Sequence, residues 1–193
     1  MAASVAAGPA PPPERGRFTL EAGGLALGSF AGMPPAVLPL VRVALAPADR
    51  WPILFRLTAA GLGTRARVSD AQGAAEVAHQ LALAEVVWAF RAGHRLQPFV
   101  SLGAGAVHVT AEGTAIAAAA AVPPSIGRTE AAWAFLADAG AGLRLNLGRR
   151  LQLAGELHAQ ADAPSPSVHY LGSQLAVEGR PTWVTSLTMG LRL

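Results

Sequence analysis

Trp183, Thr185, Leu187, Met189, Leu191 and Leu193 alternate with Thr182, Val184, Ser186, Thr188, Gly190 and Arg192. Successive side chains of an extended strand point to opposite faces, so this period of two predicts a strand with one apolar face and one polar or small face. Leu151, Leu153, Gly155, Leu157, Ala159 and Ala161 alternate likewise with Gln152, Ala154, Glu156, His158, Gln160 and Asp162, and every charge falls on one parity. From Trp133 to Gly148 the apolar set Trp133, Phe135, Ala137, Ala139, Ala141, Leu143, Leu145 and Leu147 opposes a set that holds Asp138, Arg144 and Asn146. Such segments are about twice the length of an ordinary soluble strand. They match the roughly 9–11 residues with which a tilted strand crosses a bilayer.

The pattern continues upstream. Phe18, Leu20 and Ala22 oppose Thr19 and Glu21; Val37, Val41, Val43 and Leu45 oppose Arg42; Ile53, Phe55, Leu57 and Ala59 oppose Arg56 and Thr58. In the fourth segment Val77, Leu81 and Leu83 oppose Glu76 and Gln80, but further on Val86, Trp88 and Phe90 form the apolar set. A β-bulge near Ala84 would reconcile the two phases. Good helix formers give Ala74 to Phe90 a competing helical reading, which its strand-like neighbours oppose. The fifth segment is hard to phase because Gly103 and Gly105 have no side chain to place. The spacing predicts eight strands, at 17–30, 36–46, 52–67, 75–90, 96–112, 129–147, 151–162 and 182–193. Tight turns at Pro47 to Arg50, Arg91 to Arg95 and Leu147 to Arg150 alternate with longer or breaker-rich links at Ala31 to Pro35, Val68 to Ala74, Gly113 to Arg128 and Ala163 to Pro181. Short turns on one rim and long loops on the other are the sidedness of membrane barrels.

Composition sharpens this picture. The 193 residues are 52% hydrophobic and 14% charged, with a mean hydropathy of +0.37. Soluble domains carry roughly 25% charge, so water is not the expected neighbour of much of this surface. Only helices and closed barrels satisfy every backbone group in lipid. The best helical candidate, Ala22 to Val41, is interrupted by Gly23, Gly24, Gly28, Gly32, Pro34, Pro35 and Pro39, leaving the barrel. All cationic side chains are Arg, a bias that makes the basic charge balance a weak clue to partners. With no Cys there is no disulfide, thiolate site or Cys nucleophile. Residues 1–16 read as a disordered Ala/Pro-rich lead without the pattern of a secretory signal, and 17–193 as the barrel.

A barrel of eight strands has a bore that side chains fill. The parity places Arg42, Arg56, Glu76, Glu85, Asp138, Arg144, Glu156 and His158 inside, with Glu21 and Arg192 toward the rims. Buried charges persist when paired, so an Arg–carboxylate network is expected to plug the bore. Trp51, Trp88, Trp133 and Trp183 fall near strand ends, where aromatic belts meet headgroups. Glu156 and His158 share a strand face, but a satisfied lumenal His is the simpler reading than a metal ligand. No metal and no cofactor are expected. Arg149 and Arg150 read as a solvated turn, too small a basic patch for nucleic acid.

The strands Phe99 to Ala106, Ala139 to Leu145 and Leu187 to Leu193 resemble those of the small eight-stranded outer-membrane β-barrels, the OmpA-, OmpX- and OmpW-like group, over about residues 17–193. The resemblance implies an all-β, antiparallel up-and-down barrel with a polar, side-chain-filled lumen, in the bacterial outer membrane. Its surroundings would be the lipid bilayer and lipopolysaccharide. Its C-terminal strand would be read by the barrel-assembly machinery, although Leu193 stands where an aromatic is typical. The chain is expected to be a monomer with a structural or surface-interaction role, at most a narrow pore, and not an enzyme. Some barrels of this kind are lipid A deacylases, and His79, His108, Ser69, Ser101 and Glu112 are the parts such an activity would draw on. The alternative outside the membrane is a soluble lipocalin-like barrel binding a small hydrophobic ligand, which would need a charged outer face and an apolar inner one.

Overall fold

The computed structural model describes residues 17–29, 35–48, 51–69, 73–92, 94–115, 128–164, 167–170, 173–177 and 182–193; the expected lead at 1–16 and most of the longest links lie outside them. The elements are β1 (Arg17–Ser29), β2 (Ala36–Ala46), β3 (Ile53–Ala60), β4 (Ala66–Ser69), β5 (Gly73–Ala89), β6 (Leu96–Ala115), β7 (Arg128–Asn146), β8 (Leu151–Ala163), β9 (Ser167–Tyr170), β10 (Ser173–Val177) and β11 (Thr182–Arg192). Every pairing is antiparallel, and β3 closes on β5 while β1 closes on β11, so the sheet has no free edge. The β3 and β4 segments together form one wall strand, which makes an eight-stranded closed barrel.

Registers define its geometry. A path along paired residues from Ser29 through Thr182, Gln160, Asp138, Gly103, Glu85, Arg56 and Ala44 returns to β1 at Thr19, ten residues from its start. A stagger of that size on eight strands tilts them by about 40°.

Four expectations need correction. There is no bulge near Ala84: β5 pairs without a break with β6, and Val77, His79, Leu81, Leu83, Glu85, Val87 and Ala89 all face inward. The irregularity sits in the third wall strand, where 61–65 stand opposite only 78–80. Leu62 there adopts a φ of 57°, and Gly61 and Thr64 donate their amides to Pro39 and Val37 of β2. Glu76, on the parity opposite to Glu85, therefore points out of the barrel. The link between Ala163 and Pro181 also contains strands, since β9 and β10 form a hairpin, and β6 runs three residues beyond its expected end at 112.

Inside, the barrel has two tiers. Toward the long links Leu25, Leu27, Leu38, Leu40, Val77, Leu81, Val107, Val109 and Val184 form an apolar cluster. Toward the short turns the lining becomes charged beside a second, smaller apolar cluster of Ala44, Leu54, Val87, Ala89 and Phe99. Outside, Leu20, Val41, Leu57, Leu102, Leu157 and Leu187 stand exposed on a belt. Among the described residues no Asp, Glu or Arg interrupts that belt between the rims.

Candidate functional site

Alternation brings six ionisable groups from five strands into the bore: Arg42 on β2, Arg56 on β3, Glu85 on β5, Asp138 on β7, and Glu156 with His158 on β8. Arg56 and Glu85 are direct cross-strand partners, and their side chains join bidentately, Nε to Oε2 at 2.9 Å and Nη2 to Oε1 at 2.6 Å. The opposite side of the guanidinium reaches across the bore: Nη1 donates to Glu156 Oε1 at 2.9 Å. Glu156 lies four strands away around the wall of eight, so this bond spans the barrel. Arg42 also donates to Glu156 Oε1, at 2.5 Å, and its other nitrogens donate to Thr58 and Ser186 at 3.1 and 3.2 Å. The Thr58 hydroxyl in turn donates to Glu85 Oε2 at 3.0 Å.

His158 extends the network. Its Nδ1 lies 2.9 Å from Asp138 Oδ2 and its Nε2 lies 2.9 Å from Glu156 Oε2. The ring thus bridges the two carboxyl groups, and the cluster sets Arg42, Arg56 and His158 against Glu85, Asp138 and Glu156. Gln160 donates to the other oxygen of Asp138 at 2.9 Å. All six groups are buried. At low dielectric each such charge needs its partner in place.

Long side chains fit a narrow bore because glycines face them. A Cβ on Gly140 would lie 2.5 Å from His158 Nδ1 and 2.7 Å from Ser101 Oγ, and one on Gly103 would lie 2.7 Å from Glu85 Cγ. Both face inward, Gly140 as its parity with Asp138 and Arg144 predicts, and Gly103 where the sequence is silent.

Arg144 is buried nearer the short turns, its guanidinium 5.2 Å from the centre of the Phe99 ring, and its Nε has no hydrogen-bond partner. Glu21 accepts from Gln152 at 2.6 Å and Thr188 at 3.3 Å, and Arg192 donates to Gln152 and Asn146. Glu76 takes no part: half-exposed at the opposite rim, it lies 3.7 Å from Arg65, which also pairs with Glu112. Glu85, Asp138 and His158 bring donor atoms within 4.8 Å of one another, a spacing that suits a metal ion, yet all three are engaged by Arg56, Gln160 and the carboxylates around them.

The four Trp residues stand two at each end, Trp51 and Trp88 by the short turns, Trp133 and Trp183 by the long links. Trp133 stacks on His108 at 4.5 Å, on the outer face. His79 faces inward and neither of its ring nitrogens has a hydrogen-bond partner. The two His residues, though on adjacent strands, thus lie on opposite sides of the wall; Glu112 sits with Arg65 outside and Ser101 beside His158 inside. Of the parts considered for an acyl-hydrolase site, His79, His108, Ser101 and Glu112 do not converge, and the side chain of Ser69 lies outside the described residues. The inward placement of His79 and the apolar tier around it are not what the alternation suggests, and the odd parity that Val77, Leu81 and Leu83 share with Glu85 is the available signal.

No family model matches the chain, and no curated protein matches it. Solved structures do. A major outer membrane protein from Thermus thermophilus is 15% identical, with 92% of this chain and 99% of that one covered and a TM-score of 0.65. The outer membrane protein OprG from Pseudomonas aeruginosa is 13% identical, covering 93% and 97%, with a TM-score of 0.62. Ail, the attachment invasion locus protein of Yersinia pestis, is 11% identical, covering 93% and 99%, with a TM-score of 0.57. At these identities the likeness is one of fold: the chain has the fold of the small bacterial outer-membrane β-barrels.

Proposed function

We propose that the protein is an integral outer-membrane barrel whose bore is closed by its own side chains and which serves a structural or surface-interaction role. The apolar outer belt supports the bilayer placement. The observation that carries the closed-bore reading is the bond from Arg56 to Glu156 across the full width of the barrel, reinforced by Arg42 and His158. An open pore would need that network to come apart, so conduction is at most that of a narrow, intermittent pathway. Recognition then falls to the long-link rim, where the β9–β10 hairpin and the Arg65, Glu76 and Glu112 cluster stand, with lipopolysaccharide as its natural neighbour. The apolar alternation of β11 supports recognition by the barrel-assembly machinery, with the folded barrel acting as a monomer. The outward Leu and Val side chains and the ion-paired interior disfavour the lipocalin-like alternative.

Two measurements test this. Refolded in detergent, the protein should migrate differently on a gel before and after boiling; a detergent-independent soluble monomer with one mobility would sink the membrane placement. In a planar bilayer the purified protein should show absent or small, flickering currents. Stable, large conductance would refute the plug.

A further inference from the structure

The described residues of the short-turn rim carry charge of one sign. Arg17 opens β1, Arg91 and Arg95 lie in the β5–β6 turn, Arg149 and Arg150 in the β7–β8 turn, and Arg192 ends β11. No Asp or Glu of the described residues shares that rim; Asp49, in the Pro47 to Arg50 turn, lies outside them. The nearest acidic side chain among the described residues, Glu21, is buried and held by Gln152 and Thr188. Between two of these turns opens a cavity of about 380 Å³ lined by His94, Arg95, Asn146, Leu147, Gly148 and Arg192. Its wall is pinned. Asn146 donates its side-chain amide to the His94 carbonyl at 2.6 Å and its backbone amide to the Arg95 carbonyl at 2.7 Å, while its Oδ1 accepts from Arg192. The guanidinium of Arg95, by contrast, is exposed, and no described carboxylate pairs with it. Two residues inward from Asn146 on the same face of β7, buried Arg144 adds a further cation whose Nε has no partner.

We propose that this cavity is a binding site for a phosphate-type oxyanion, held by Arg95 and Arg192 with His94 and Asn146 as further hydrogen-bonding groups. Guanidinium groups present paired N–H donors that match the oxygens of a phosphate, and two of them on one concave surface favour a multiply charged oxyanion over a single carboxylate. The surrounding arginines raise the local concentration of anions. Two sources offer the same chemistry: soluble phosphate, or the phosphodiester headgroup of an anionic phospholipid reaching the mouth from the adjacent leaflet.

The test uses the full chain refolded in an uncharged detergent, its folding verified by the boiled and unboiled gel mobilities, so that failure of the barrel and failure of the site are read separately. Inorganic phosphate is titrated and followed by phosphorus NMR line width. In parallel, phosphatidylglycerol retained through detergent exchange is counted by native mass spectrometry. Saturable phosphate binding that weakens at least fivefold in Arg95→Gln, and is unchanged in Arg17→Gln, supports a soluble anion. Retained phosphatidylglycerol that is lost in Arg95→Gln, without saturable phosphate binding, supports the lipid headgroup. Arg192→Gln should follow Arg95→Gln, but Arg192 also bonds Asn146 and Gln152, so Arg95, whose side chain makes no such bond, carries the decision. If neither phosphate nor lipid binding depends on Arg95, the proposal is overturned.

Discussion

The two halves of the bore solve one packing problem by different chemistry. Both are enclosed by the same eight tilted strands, and both are filled. Toward the short turns charged groups on facing strands bond across the axis with inward glycines opposite them, beside a small apolar cluster that includes Leu54, Val87 and Phe99. Near the long links it is Leu25, Leu27, Leu38, Leu40, Leu81 and their neighbours in ordinary apolar contact. The charged tier depends on complete pairing, because one lost partner strands a buried charge. Contacts in the apolar tier are non-directional, so its losses scale with the volume removed. His79 is one of the buried polar groups at this end, with Gln160, Asp162 and Thr182, and its ring makes no hydrogen bond. The charged tier is therefore the more fragile to single substitutions, although it holds the directional bonds.

The sharpest way to break this contrast is Arg56→Ala, which leaves Glu85 and Glu156 buried without their shared cation. It should cost about 3–5 kcal/mol, measured by reversible urea unfolding into lipid vesicles. A cost near zero would show that water already solvates the plug. Next in size, Leu157→Arg at mid-height on the outer face should cost about 2–4 kcal/mol in a bilayer, and Leu187→Arg the same. Moving the change by one position, to Ser186→Arg, should act through the plug instead, altering single-channel currents. Equal responses on both parities would mean the register is wrong.

A smaller loss is expected from Gly140→Ala. Its Cβ would press on His158 and Ser101, and overpacking of this kind costs about 1–3 kcal/mol; the same substitution at Gly155, where a Cβ meets nothing within 4 Å, should be nearly silent. Smallest, and opposite in sign, is His79→Leu. Replacing a buried, unbonded ring by an apolar side chain should raise stability by about 1 kcal/mol, whereas His158→Leu, in the charged tier, should lower it. If His79→Leu also destabilises, the apolar tier contains a bond or ligand for that ring.

Much of this architecture was legible in the alternation. For β7, β8 and β11 the lipid-type face and the charged face separate cleanly, because the inside of those strands is charged or polar over most of their length. β5 was misread for the converse reason. Its upper half faces the apolar tier, so Val77, Leu81 and Leu83 look like an outer face, while Gln80 and Glu76 look like an inner one. Hydrophobicity alone cannot separate lipid from a dry interior, since both reward the same side chains. A bulge was inferred where the strand runs on unbroken, and Glu76 was placed in a network it faces away from.

By itself the sequence determined the strand class, the closed barrel, the order of short and long links and the parity of most strands. These follow from a local period of two and from the need of every backbone group for a partner. Which charges meet was decided only by the tertiary structure. Arg42, Arg56, Glu85, Asp138, Glu156 and His158 are spread over more than a hundred residues, and it is the ten-residue stagger around the wall that brings them to one level. The same closure gathers Arg91, Arg95, Arg149, Arg150 and Arg192, separate turns and a strand end in the chain, into one cationic rim. Strand alternation is a property of neighbouring residues, whereas shear is a property of the closed ring, and no window of sequence contains it.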